Sequence, residues 1–494
     1  MALVWSSMAL VYVFVVIISW CPFKVVYSIW WKMMIEKQLE KQGFHGPPYK
    51  LLYGNIKDMK FFNENNDQPR AMKTSHDISP LLDPFLHNTV ANYGDKFVTW
   101  FGTTPRVTIT DPKLIREIMS NKSGDFLKPR NSFIDLLVTG VASYHGEKWA
   151  KHRKIINPAF HIDKLKVLFH VFCHKLLPFT LKLVIFRFLP TRTNRRMFNI
   201  YKQIRSLLRS MIEKREKVIA MVDDDSGKDN LLDLLLKSSH AQVEASKNLK
   251  SGLTIEDVID ECKLFYFAGQ ETTENLLTWT LVVLSMHKNW QDRAREEVLQ
   301  AIGSNTPSFD DLSSLKIVSF RIPFLCVSFL LLGLCSDEGL WLQPSPFKLV
   351  SSFSLGSTCK VLRLYPPVPS ILRCTKMKAE LGDLVIPAGV HISLPFYLIH
   401  HDPKLWGEDA LEFNPERFSE GIPKASKDQT SYFPFGWGPR TCIGQNFALL
   451  EAKYAIVAIP QKFWFELSPL YVHAPWKSPT LRPKFGAQII LNKF

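Results

Sequence analysis

Residues 435–444 read FGWGPRTCIG, and this stretch constrains the chain more than any other. One cysteine, Cys442, stands among Gly436, Gly438 and Gly444, with Arg440 two residues before it. Glycines admit conformations and close backbone approaches that other residues resist. The stretch therefore reads as a turn that brings backbone N–H groups to a sulfur, where they tune a metal-binding thiolate. An apolar helical run, QNFALLEAKYAIVAI, follows Gly444, and its N-terminus stabilises negative charge on that sulfur. A cysteine thiolate is one of the few protein ligands that hold a haem iron, where it favours O–O cleavage. Arg440 would lie at the porphyrin edge, its forked donors meeting a propionate. The plain alternative is a buried structural cysteine in a glycine-rich turn.

The spacing F-x-x-G-x-R-x-C-x-G, matched by Phe435, Gly438, Arg440, Cys442 and Gly444, resembles the haem-binding signature of the cytochrome P-450 monooxygenases. Other segments carry the same resemblance. Residues 268–273 read AGQETT. Small Ala268 and Gly269 leave room above a haem, and Glu271 beside Thr272 offers an acid next to an alcohol, a pairing suited to proton delivery. The segment is similar to the family's A-G-x-[DE]-T-T oxygen-activation motif. Trp149 and Arg153 lie four apart in HGEKWAKHRKIINPAF and share one helical face. The resemblance implies that they bind haem propionates, with Arg373 and Arg440, and that Cys442 is the axial iron ligand. It also implies a structural role for Arg363 of VLRLYPP and Arg417 of PERF. His400-His401-Asp402 matches a family loop that holds no metal.

Two stretches depart from the family. About twenty residues, 167–185, stand where members have several helices. Residues 319–360 separate LKIV from VLRLYPP, which in the family lie only a few residues apart; the segment reads as a retained intron or a true insertion. Position 360 consequently carries Lys where the family's E-x-x-R motif has Glu. Lys360, Arg363 and Arg417 would form three like charges, unless Glu416 or another acid compensates. A partnerless buried charge costs roughly 3–5 kcal/mol.

Residues 1–23 are uncharged and mostly apolar, long enough for a transmembrane anchor. They carry no basic n-region and no A-x-A site, which argues against a cleaved signal. Lys24, Lys32, Lys37 and Lys41 follow, so the positive-inside rule places the rest in the cytosol. Residues 24–49 form a basic linker ending in a stiff Gly-Pro-Pro hinge, and 50–494 the catalytic domain. The net charge of +15 favours an anionic membrane surface or an acidic protein face. No nucleic-acid motif accompanies it. Eight cysteines without CxxC spacing suit a reducing compartment.

Local patterns predict a hairpin over 97–110, a helix from Asp111-Pro112, and a capping box at Thr254–Asp257 opening a helix to about His287. A second hairpin is expected over 382–397, and an early end or kink at Pro460. The resemblance implies a mainly α, α+β fold with small β-sheets. It implies hydroxylation of a small hydrophobic substrate, a terpenoid, gibberellin or steroid-like molecule, with O2. Haem b is the implied cofactor, and NADPH-cytochrome P-450 reductase, membrane lipid and the endoplasmic reticulum the implied partners and place. The alternative is an inactive P-450-derived membrane protein.

Overall fold

The computed structural model describes residues 30–65, 76–121, 123–129, 139–160, 192–221, 231–244, 252–303, 305, 307, 357–477 and 479–494. The expected anchor, the 167–185 stretch and all but the end of 319–360 lie outside these residues. Among the described residues no helix is long and apolar enough to cross a membrane. They fall into two units, one within Met1–Asp67, Asp83–Pro129 and Ser370–Pro395, the other within Gln68–Leu82, Arg130–Pro369 and Phe396–Phe494.

The first unit is built on a sheet. Strands β1 (Lys96–Phe101) and β2 (Thr104–Ile109) form the expected hairpin, with Phe101 opposite Thr104 and Gly102 in the left-handed region at the turn. Strands β3 (Phe126–Leu127), β4 (Ile371–Thr375), β5 (Ala379–Leu381), β6 (Leu384–Ile386) and β7 (His391–Leu394) follow in the chain. The sheet order is β1-β2-β7-β4-β3, with β7 parallel to β2 and antiparallel to β4. Asp111 caps the next helix, Pro112–Ser120, accepting from Lys113 N with Pro at the first position. Residues 43–49 pack on β1: Val98 N donates to His45 O at 3.0 Å, and a Cβ on Gly46 would lie 1.8 Å from Val98 O.

The hairpin expected over 382–397 does not form. Strand β6 turns back onto β5 across Gly382, whose φ of 54° suits glycine, while β7 joins the larger sheet. Pro387 explains the break, since it has no N–H to continue a ladder. Thr375 takes over locally: its Oγ1 donates to Pro387 O, and its carbonyl accepts from Gly389 N.

The second unit is organised by one helix, Ile255–Met286, of 32 residues. The capping box is present, Thr254 Oγ1 accepting from Asp257 N while the Asp257 carboxylate accepts from Thr254 N. The helix serves two apolar cores. Its first turns bury Val258, Ile259 and Leu264 against Ile156, Leu235 and Leu236. Its later turns bury Leu276, Trp279 and Val283 against Val361 and Leu364 of the helix at 357–364, Tyr365 just after it, and Ala452 of the helix Gln445–Lys462. Trp279 stacks on Tyr365 at 4.3 Å and donates from Nε1 to Leu481 O. Strands β8 (Phe463–Leu467) and β11 (Ile489–Lys493) pair antiparallel, as do β9 (Pro475–Lys477) and β10 (Leu481–Pro483).

Pro460 does not cut its helix short, for the helix runs on to Lys462. The proline occupies the last turn, where it removes only one intrahelical bond, and its ring is buried. The fold is thus largely helical with small sheets, as expected.

Candidate active site

Gly436 and Gly438, with φ of 75° and 72°, shape the cysteine turn. The turn closes through Cys442 N donating to Phe435 O at 2.9 Å and Thr441 N donating to Gly438 O at 3.0 Å. Phe435 packs on the core around Trp279, which seats the turn. Gly444 is the N-cap of the helix Gln445–Lys462, and its N–H reaches the Cys442 sulfur. A Cβ there would meet Sγ only at 4.0 Å, so Gly444 matters for its N–H rather than for space. Burial pushes the Cys442 thiol above its usual range, while the Gly444 N–H and the Arg153 guanidinium pull it down. The side chain nonetheless keeps solvent-accessible surface, so the thiol is reachable although protein surrounds it.

The helix Gly146–Ile156 brings two further groups to the turn. Arg153 donates to Thr441 O at 2.9 Å, and the Arg440 guanidinium lies 4.5 Å over the Trp149 ring and donates to Tyr144 O. Burial lowers both arginines, and Arg153 lowers Arg440 further. Two neighbouring, half-buried guanidiniums favour an anion, and carboxylates match their forks. The helix is fixed by a residue pair not foreseen from sequence: buried His152 Nδ1 lies 2.7 Å from buried Glu261 Oε1 on the long helix. Val141 N donates to the same oxygen.

Ala268 packs on the same apolar cluster as Trp149, Phe160 and Ile443, so the cysteine turn and the long helix meet there. A Cβ on Gly269 would meet nothing within 4 Å. Thr272 Oγ1 donates back to Ala268 O at 2.7 Å. Its neighbour Glu271 faces other partners: Thr480 Oγ1 donates to Glu271 Oε1 at 2.6 Å, and Asn275 Nδ2 bonds both Thr480 Oγ1 and Glu271 O. Acid and alcohol are adjacent in the chain, yet each is held separately. Arg373 belongs to the other unit, on β4, where it donates to Leu372 O.

The arginine cluster differs in its pairing from three bare like charges. Arg363 donates to the carbonyls of His400 and Ala410 and lies 4.8 Å over the Trp406 ring. Arg417 pairs with Asp409 and donates to Trp406 O. The compensating acid is therefore Asp409, while Glu416 pairs with Arg293 at 2.6 Å. Lys360 is left over: fully buried, its Nζ has no hydrogen-bond partner among the described residues. Burial, then Arg363 and Arg417, pull it down to about 6. His400 and His401 each commit one ring nitrogen, His400 Nε2 accepting from Phe433 N and His401 Nε2 meeting Leu364 O. Among the described residues no cluster of three or more His, Cys, Asp or Glu could hold a metal ion.

A model of the family Cytochrome P450 matches residues 79–176, 162–322 and 360–485. The first two matches overlap over 162–176, and 323–359 lie between the second and third. The chain is similar to Cytochrome P450 CYP72A616 of Paris polyphylla, 41% identical across 94% of this chain and 95% of the relative. It is 40% identical to the 11-oxo-beta-amyrin 30-oxidase of Glycyrrhiza uralensis, over 95% of each chain. It is 37% identical to secologanin synthase 2 of Catharanthus roseus, over 97% of this chain and 96% of that one. The chain belongs to the cytochrome P450 family, whose members are monooxygenases that hold haem b through a cysteine thiolate. The residues fit that group: a reachable thiol receiving a backbone N–H, two guanidiniums for propionates, and open space beside Gly269.

Proposed function

We propose that this chain hydroxylates an unactivated C–H bond of a terpenoid-like substrate, with O2 and electrons from NADPH-cytochrome P-450 reductase. The observation that carries the reading is the meeting of the Cys442 turn, the Trp149–Arg153 face and Ala268 of the long helix around one apolar cluster. The relatives named for 11-oxo-beta-amyrin and secologanin support a terpenoid substrate.

In this reading Cys442 would hold the haem iron through its sulfur, and haem, when bound, would supply the dioxygen chemistry. The Gly444 N–H and Arg153 favour the thiolate and oppose the burial that pushes the thiol up. Arg440, Arg153, Trp149 and Arg373 would hold the haem propionates. Glu271 and Thr272 carry protons at their side-chain oxygens. The apolar wall of Phe160, Phe265 and Ala268 excludes water. Residues 1–23 anchor the chain in the endoplasmic reticulum membrane, and the basic surface docks the acidic reductase. Lys360, without a hydrogen-bond partner among the described residues, and the short 167–185 stretch speak for an inactive derivative; 40% identity to a named oxidase and 37% to a named synthase speak for the enzyme.

The test is incubation of the membrane-bound chain with a plant reductase, NADPH and a panel of oleanane triterpenoids and iridoids. A product heavier by one oxygen, labelled from 18O2, is expected. Haem-loaded chain that consumes NADPH but oxygenates no panel member contradicts the substrate class.

A further inference from the structure

Three donors converge on one oxygen of Glu271. Thr480 Oγ1 donates to Oε1 at 2.6 Å, Asn275 Nδ2 approaches it at 3.3 Å, and Arg482 stands 4.0 Å away. Thr480 sits in the turn before β10, 7% exposed, and itself accepts from Asn275 Nδ2 at 2.9 Å. Its one hydroxyl proton is therefore committed to Glu271, because its lone pair already receives the Asn275 amide. Asn275 is fixed in turn by Glu271 O, one helical turn back. Among the described residues no donor reaches Glu271 Oε2. The carboxylate is thus held at one oxygen and left open at the other, with its side chain 21% exposed.

We infer that Thr480 is a positioning residue for proton delivery: it holds Oε1 of Glu271 so that Oε2 carries the proton between solvent and the neighbourhood of Thr272. This rests on the reading of Glu271 as a proton carrier. The C-terminal strands thereby act on the reaction through a residue 209 positions away in the chain. A carboxylate without that anchor rotates freely about its terminal torsion, and the oxygen that takes up the proton is no longer aimed.

The test needs no identified substrate. In full-length, haem-loaded chain with reductase, electrons from NADPH leave as hydrogen peroxide (one NADPH per O2) or as water (two NADPH per O2), and the second outcome needs more delivered protons. Peroxide released per NADPH consumed is measured for the parent, Thr480→Val and Thr480→Ser. Thermal unfolding is measured for Thr480→Val, Glu271→Gln and the double variant. The expected result is a peroxide fraction raised about twofold or more in Thr480→Val and restored in Thr480→Ser. The double variant should melt no lower than the lower-melting single variant. Thr480→Ala gives the same reading should the valine fail to load haem. Additive melting shifts, or a parental peroxide fraction in Thr480→Val and Thr480→Ala, overturn the inference. A parental peroxide fraction in Glu271→Gln, measured alongside, instead overturns the proton-carrier reading on which it rests.

Discussion

Arg363 satisfies its guanidinium on the carbonyls of His400 and Ala410, whereas Lys360, three residues earlier on the same buried helix, finds no hydrogen-bond partner among the described residues. The family's glutamate at this position would give both Arg363 and Arg417 a carboxylate. Lys360→Glu should therefore stabilise the chain by about 3 kcal/mol, since it replaces a buried amine that has no hydrogen-bond partner among the described residues by a carboxylate paired with two guanidiniums. Denaturant midpoints of the two chains measure this; a lower midpoint for Lys360→Glu would mean that the cluster is already balanced.

The same lysine sets a pH dependence. Its folded value is lowered to about 6 from 10.5, so between these limits the unfolded chain binds a proton that the folded chain does not. Stability must then rise with pH across that window and be lowest below about 6. Lys360→Met should flatten the melting temperature between those limits while leaving the acid side intact. An unchanged slope in Lys360→Met would assign the dependence elsewhere.

On the acid side three buried histidines act together. His76 is lowered to about 3, and His401 and His473 to about 4, each mainly by burial. Their depressed values mean that the unfolded chain takes up protons first, and stability is lost as pH falls from 6.5 toward these values. His76 lies 2.8 Å from both Tyr365 Oη and His287 Nε2, so its protonation also breaks the contact beneath Trp279. Unfolding followed by tryptophan fluorescence from pH 7 to pH 4 should show a steep loss, reduced in His76→Gln.

His152 and Glu261 tie the Trp149–Arg153 helix to the long helix at full burial. His152→Ala leaves Glu261 with Val141 N as its remaining partner from that side and should cost about 3 kcal/mol. Loss of less than about 1 kcal/mol would show that the pair is not a structural tie.

Arg440 lies against Trp149 and beside Arg153, and in the proposed site it meets a propionate. Arg440→Leu should speed haem transfer to an apoglobin acceptor by roughly ten- to a hundredfold, the worth of one or two charge-assisted hydrogen bonds. Arg440→Lys keeps the charge but loses the fork, and should fall between the two.

What the sequence reveals here depends on how local the cause is. The cysteine turn, the capping box at Thr254 and the Asp111-Pro112 helix start each need only a few neighbouring residues, and each is legible before the structure. The second hairpin is misread because Pro387 ends a ladder whose true partners, β2 and β4, lie elsewhere in the chain. His152–Glu261 and Thr480–Glu271 join residues 109 and 209 positions apart, and no spacing marks them. Asp409 escapes for the same reason: eight residues before Arg417, it reads as one more surface acid until Arg417 turns toward it.

The proposed function requires that Cys442 bind haem iron as a thiolate in this chain as it stands, with Lys360 in place. The carbon-monoxide difference spectrum of the reduced, membrane-bound chain tests it most directly. A strongly red-shifted, thiolate-type Soret band that disappears in Cys442→Ser is expected. A band at the neutral-thiol or imidazole position, or none at all in folded chain supplied with haem, would contradict it.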